Sequence, residues 1–82
     1  MKYTTVGMRA VTAESMGEAA EIFALRIGRR KYGRRARVGA RTSTAYSLDG
    51  SVGEYSVFVG RPVKLGGTEG NNINLTVRAT QE

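Results

Sequence analysis

One short stretch decides what this chain can become. Ser15-Met16-Gly17-Glu18 has the form of a capping box, in which the Ser15 hydroxyl accepts from the Glu18 backbone N–H and Glu18 reaches back to the Ser15 N–H. Behind it, Met16, Ala19, Ala20, Phe23 and Ile27 fall on one stripe flanked by Ile22 and Ala24, the pattern of a helix with one face to bury. Leu25 falls on the far side, near Glu18, Glu21 and Gly28. Glu18 and Glu21 suit the positive pole of the macrodipole. Arg29-Arg30-Lys31-Tyr32-Gly33 reads as a last turn, with cations at the negative pole and Gly33 in the left-handed conformation just beyond it. The spacing predicts a helix from about Met16 to Tyr32. Gly28 is either an earlier stop or an interior glycine tolerated at about 1 kcal/mol.

A lone amphipathic helix needs a surface to cover, and the rest of the chain reads as strands. Lys2 to Val11 is rich in Tyr, Thr and Val, with Val6, Met8 and Ala10 as the better core face and Tyr3, Thr5, Gly7 and Arg9 opposite. Arg35 to Leu48 and Glu54 to Arg61 form a pair around Asp49-Gly50, a strong hairpin signal. A two-residue turn there sets Thr44 opposite Tyr55, Thr42 opposite Val57 and Ala40 opposite Val59, with Val38 and Tyr46 on the same face. A slip by one residue scatters these apolar sets, and Gly53 leaves a longer loop open. Pro62 ends the strand or marks an edge. Val63-Lys64-Leu65 continues it past a bulge, Gly66 to Asn72 reads as a flexible loop, and Ile73 to Ala79 alternates with Ile73, Leu75 and Val77 inward. The expected fold is α+β: a single helix packed on one face of an antiparallel-rich sheet of about four strands, in the order β-α-β-β-β.

At 82 residues this is one domain, 1–82. A chain so short buries only about 60% of its unfolded surface. Without Cys or His it has no disulfide or thiolate metal site to stiffen it. Oligomerisation is a natural supplement, and monomer and homodimer both stay open. No apolar run reaches the roughly 18 residues of a membrane-spanning helix, and the start of the chain lacks the apolar core of a signal peptide. A cytoplasmic, membrane-free protein is expected.

Charge is the most informative part of the composition. Thirteen Lys+Arg against seven Asp+Glu give +6, and most of the cations are Arg, whose planar fork suits phosphates and carboxylates. That balance points to an anionic partner and excludes imitation of DNA, which needs an acidic surface. Two concentrations stand out. The first is linear: Arg26, Arg29, Arg30, Lys31, Arg34, Arg35 and Arg37 place seven cations in twelve residues. Capping a helix end uses one or two cations, and holding seven together costs self-repulsion that a bound anion relieves; the alternative is a solvated helix end that serves solubility. The second is the sheet face away from the helix, where Arg35, Arg37, Arg41, Arg78 and Arg9 surround Phe58 and Tyr3. A basic, partly aromatic platform suits phosphate contacts with base stacking and equally a protein hot spot. Leu25 is either a singly exposed apolar residue or an anchor for a dimer or partner.

No catalytic or cofactor signature emerges. Gly66-Gly67-Thr68-Glu69-Gly70 lacks the Gly-Lys-Ser/Thr ending of a phosphate loop and opens no helix. The carboxylates are scattered, and without His or Cys, acid–base or nucleophilic chemistry needs a strongly perturbed Glu, Lys or Tyr. The reading is of a protein that binds, with no enzyme activity, cofactor or metal.

The opening Met1-Lys2-Tyr3-Thr4-Thr5-Val6-Gly7-Met8-Arg9, followed by Ala13-Glu14-Ser15-Met16-Gly17-Glu18-Ala19-Ala20-Glu21 into one helix and then antiparallel strands, resembles small phage-encoded proteins. Among these the chain is similar to type I anti-CRISPR proteins of the basic strand–helix–strand–strand kind. The resemblance is one of pattern over most of the chain. It implies inhibition of an RNA-guided surveillance complex (Cascade) in the bacterial host cytoplasm, by contact with an effector subunit or with the crRNA and DNA channel. The alternative is a small DNA- or RNA-binding module or regulator without a CRISPR partner.

Overall fold

The computed structural model describes residues 1–80. It is an α+β fold in which one helix packs on a five-stranded antiparallel sheet. The elements are β1 (Lys2–Thr4), β2 (Val11–Thr12), α1 (Met16–Tyr32), a 3-10 turn (Gly33–Arg35), β3 (Arg37–Tyr46), β4 (Val52–Pro62) and β5 (Thr68–Ala79). Their order across the sheet is β2-β1-β5-β4-β3, so the long β3–β4–β5 meander carries a short β1–β2 pair on its β5 side.

The helix forms over the predicted span. The Ser15 side chain accepts from the Glu18 N–H at 3.1 Å, and the Gly33 N–H donates to the Arg29 carbonyl as the chain leaves the helix at φ +77°. Met16, Ala19, Ala20, Phe23 and Ala24 are buried against Tyr55, Val57, Val59, Leu75 and Val77, with Ile22 and Ile27 packed at the margin. Gly28 neither stops the helix nor merely survives in it. It is buried where α1 passes closest to β4, and a Cβ there would collide with Cγ1 of Val59. The roughly 1 kcal/mol an interior glycine costs is the condition for bringing helix and strand together. Leu25 is half-buried, so the exposed far-side position expected for it is only partly open.

The first strand departs from expectation. Residues 2–11 do not run straight: the Met8 N–H donates to the Thr5 carbonyl at 3.3 Å, and Gly7 at φ +77° turns the chain back. Tyr3 then pairs with Val11 on one side and Ala79 on the other. The turn resets the phase of the side chains, so Tyr3 and Val11 enter the core while Val6 is 93% exposed. Likewise Thr68 to Asn72, expected in a loop, already pairs with β4: Thr68 faces Pro62 and Asn72 faces Phe58. The turn is confined to Val63–Gly67, closed by Gly66 N–H to the Val63 carbonyl at 3.0 Å.

The β3–β4 register explains where the arginines go. Near the loop it is the predicted one, with Ala45 opposite Glu54 and Tyr46 opposite Gly53. Two bulges then each slip it by one, so that Ser43 faces Tyr55, Arg41 faces Val57 and Val38 faces Val59. Bulges of this kind bend an edge strand away from chance pairing, and β3 is the long edge. The loop itself is wider than two residues. Asp49 accepts from the Ser47 hydroxyl at 2.8 Å and from the Ser51 N–H and hydroxyl at 3.0 and 2.7 Å, and these bonds, the Ser51 N–H first, hold its carboxyl down to about 2. Beside it the Tyr46 and Tyr55 hydroxyls share a bond at 3.0 Å. Bonds from Ser43 and then Tyr55 lower the phenol of Tyr46, whereas burial pushes Tyr55 up to about 12.

Candidate functional site

The linear run of cations becomes one end of the molecule. Arg29, Arg30 and Lys31 occupy the last turn of α1, Arg34 and Arg35 the 3-10 turn, and Arg37 the first position of β3, all exposed. Ala36, buried between them and the helix, donates its N–H to the Gly33 carbonyl at 3.1 Å and keeps the link short. The chain therefore cannot spread these charges along an extended segment. Sequence reasoning missed two further cations. Arg37 faces Gly60, so Arg61 and the following turn with Lys64 continue past the helix end and join the same region. Counting the register of the β4–β5 hairpin is the signal that would have found them; Glu69, opposite Arg61, is the one acid that this hairpin brings along.

What these cations touch is as informative as where they lie. Among the described residues no carboxylate pairs with Arg29, Arg30, Arg34, Arg35 or Arg37; the ion pair found there joins Arg41 to Glu21 at 2.9 Å. Arg26 donates to the Arg9 carbonyl at 3.5 Å, and so is set slightly apart. Lys31 lies 5.5 Å from the centre of the Tyr32 ring, and with the Asn71 amide turned to present its oxygen, the ammonium donates to it at 2.9 Å. Three cations on the final turn complement the helix dipole. The rest raise a local positive potential, and no ion pair among the described residues engages them.

The Arg-lined sheet face around Phe58 does not assemble as expected. The first bulge turns Arg41 onto the helix side, where its guanidinium lies over Gly17 and reaches Glu21. Arg35 precedes the strand, Arg9 lies in the β1–β2 connection, and Tyr3 is buried. Phe58 does face away from the helix, but it is half-buried against Gly39. Arg78 is exposed on that face at the far end of the sheet, opposite Thr4 and Val52, and Arg37 stands at the other. Between them the face carries the polar Ser56, Thr42, Asn72, Asn74 and Thr76, with the acid Glu54 opposite Thr76.

A cleft of about 230 Å³ adjoins the cationic end, between the last turns of α1 and the strands beneath. It is lined by Ile27, Gly28, Lys31, Tyr32, Val59 and Ile73, with Asn71 and Asn72 at its strand side. No helix among the described residues is long and apolar enough to cross a membrane. Fold and surface together define a small basic α+β protein with a cluster of cations at one pole. Compared with known proteins, the chain matches no family model, no curated protein and no solved structure.

Proposed function

We propose that this protein is a non-catalytic docking protein that blocks target-DNA recruitment by a type I CRISPR surveillance complex in the bacterial host cytoplasm. The observation that carries the reading is the set Arg29, Arg30, Arg34, Arg35 and Arg37, crowded at one pole and left without a carboxylate among the described residues. Self-repulsion of this kind is relieved by an anionic surface, and Arg forks bind phosphate or carboxylate bidentately. An RNA-guided complex offers both, as nucleic acid backbone and as acidic protein, and the pattern resemblance to basic anti-CRISPR proteins favours it as the partner.

A band shift of target DNA on a purified type I complex tests this. One equivalent of the protein is expected to abolish the shift, and a variant with Arg29, Arg30, Arg34 and Arg35 all changed to Glu, folded by circular dichroism, is expected to leave it intact. A complex that still binds DNA at large molar excess of the protein contradicts the reading. The same cations support a second reading, a nucleic-acid-binding module without a CRISPR partner. Binding to bare DNA or RNA then falls steeply with salt, whereas a protein interface with an apolar centre survives moderate salt.

A further inference from the structure

The cleft beside the cationic pole has a chemistry of its own. Its floor is apolar, built from Ile27, Val59 and Ile73, with Gly28 at its edge where the helix backbone meets Val59. Its rim carries Lys31 and Asn71, and the arginines of the helix end and 3-10 turn, without an ion pair among the described residues, lie nearby. We propose that this cleft receives one large apolar side chain from an acidic protein segment, whose carboxylates settle on the surrounding cations. The proposal deepens the docking function and rests on it, naming the partner's contact as protein.

Three observations select that occupant. At about 230 Å³ the space is smaller than the roughly 300–1,000 Å³ of small-molecule sites and suits a single anchoring side chain, the usual centre of a protein interface. An apolar centre inside a charged rim is also the common anatomy of such an interface. Finally, single-stranded nucleic acid would use the aromatic ring as a stacking platform, but the Lys31 ammonium already sits over Tyr32 at 5.5 Å. The ring offers a wall to an aliphatic or aromatic side chain more readily than a free face to a base. Net charge of +6 makes the acidic character of the segment the complementary choice.

The test uses two synthetic peptides, acetyl-Asp-Glu-Leu-Glu-Asp-amide and the same peptide with Ala replacing Leu, and a single-stranded DNA of matched charge. Each is titrated into the isotopically labelled whole protein while backbone amide signals are followed by NMR. The Leu peptide is expected to bind about tenfold more tightly than the Ala peptide, since one buried aliphatic side chain supplies a difference of that order. Its largest shifts are expected at Gly28, Tyr32 and Ile73. Asn71→Trp, which crowds the mouth, is expected to remove the advantage of Leu; Ile73→Asp, which makes the floor polar, serves as the second variant should the first disturb the strand. Equal affinity of the two peptides at the cationic pole overturns the cleft proposal and leaves the docking function standing. Larger shifts of the cleft amides with DNA than with the Leu peptide overturn it in favour of a bound base. If neither peptide nor DNA moves any amide of the pole, the docking function falls with it.

Discussion

The two ends of α1 treat polar groups in opposite ways. At the N-terminal end they answer one another: Ser15 caps Glu18, Arg41 reaches Glu21, and on the nearby hairpin Asp49 collects Ser47 and Ser51 while Tyr46 meets Tyr55. At the C-terminal end six cations lie on a last turn, a 3-10 turn and a strand start, and none of the six, five arginines and Lys31, finds a carboxylate among the described residues. Closely spaced like charges destabilise the fold that carries them. The contrast teaches that one end of the helix answers its polar groups within the fold and the other does not, which is the ground of the proposed docking function.

Perturbing the ends separately sharpens that division. Changing Arg29, Arg30, Arg34 and Arg35 to Glu has the largest expected effect. Partner binding should fall by more than about 100-fold, because several charge-assisted contacts of about 1.5–3 kcal/mol each vanish together, while the melting temperature holds or rises. A loss of folding in the same variant would break the comparison. Gly28→Ala comes next. The added methyl meets Val59, and such overpacking costs about 1–3 kcal/mol, read as a lowered urea midpoint. Combined with Val59→Ala, the two changes should cost less than their sum, since they relieve one another across a shared contact. Ser15→Ala removes the helix cap and should cost about 1 kcal/mol without touching partner binding.

The smallest effect is pH-dependent and belongs to the hairpin. Folded Asp49 sits at about 2, below its ordinary 3.8. Its stabilising contribution is therefore complete above the unfolded value and is lost as pH falls through the folded one. Wild type should melt above Asp49→Asn near neutral pH, and the gap should close between about pH 4 and pH 2. A constant gap over that window would show that the loop does not depend on the carboxylate.

How far the sequence discloses these features depends on whether a signal is local. The helix is legible at both ends because cap, stripe and terminal glycine all lie within one segment. Ile73, Leu75 and Val77 alternate inward as expected, because an unbroken strand keeps its phase; Leu75 is buried and Val77 fully so. The phase fails where the backbone adds a residue. The turn at Gly7 exchanges Val6 for Tyr3 and Val11 in the core, and the bulges in β3 carry Arg41 from one face to the other. Neither change has a marker in residue type, since a bulge is settled by twist and pairing with the neighbouring strand. The cationic run was legible as composition, but its confinement to one pole, and the arrival of Arg61 and Lys64 there, came only from the hairpin register. The cleft was not legible at all: its lining comes from α1, β4 and β5, residues far apart in the chain that only the packing brings together.

Hydrogen exchange on the whole protein, alone and bound to a purified type I surveillance complex, tests the central claim most directly. Protection is predicted at the amides of residues 28–37 and 71–73, around the cationic pole and its cleft, with residues 48–51 of the opposite hairpin unchanged. Protection centred instead on that hairpin or on Thr76 and Arg78 of the open sheet face, or no protection because no complex forms, would contradict it.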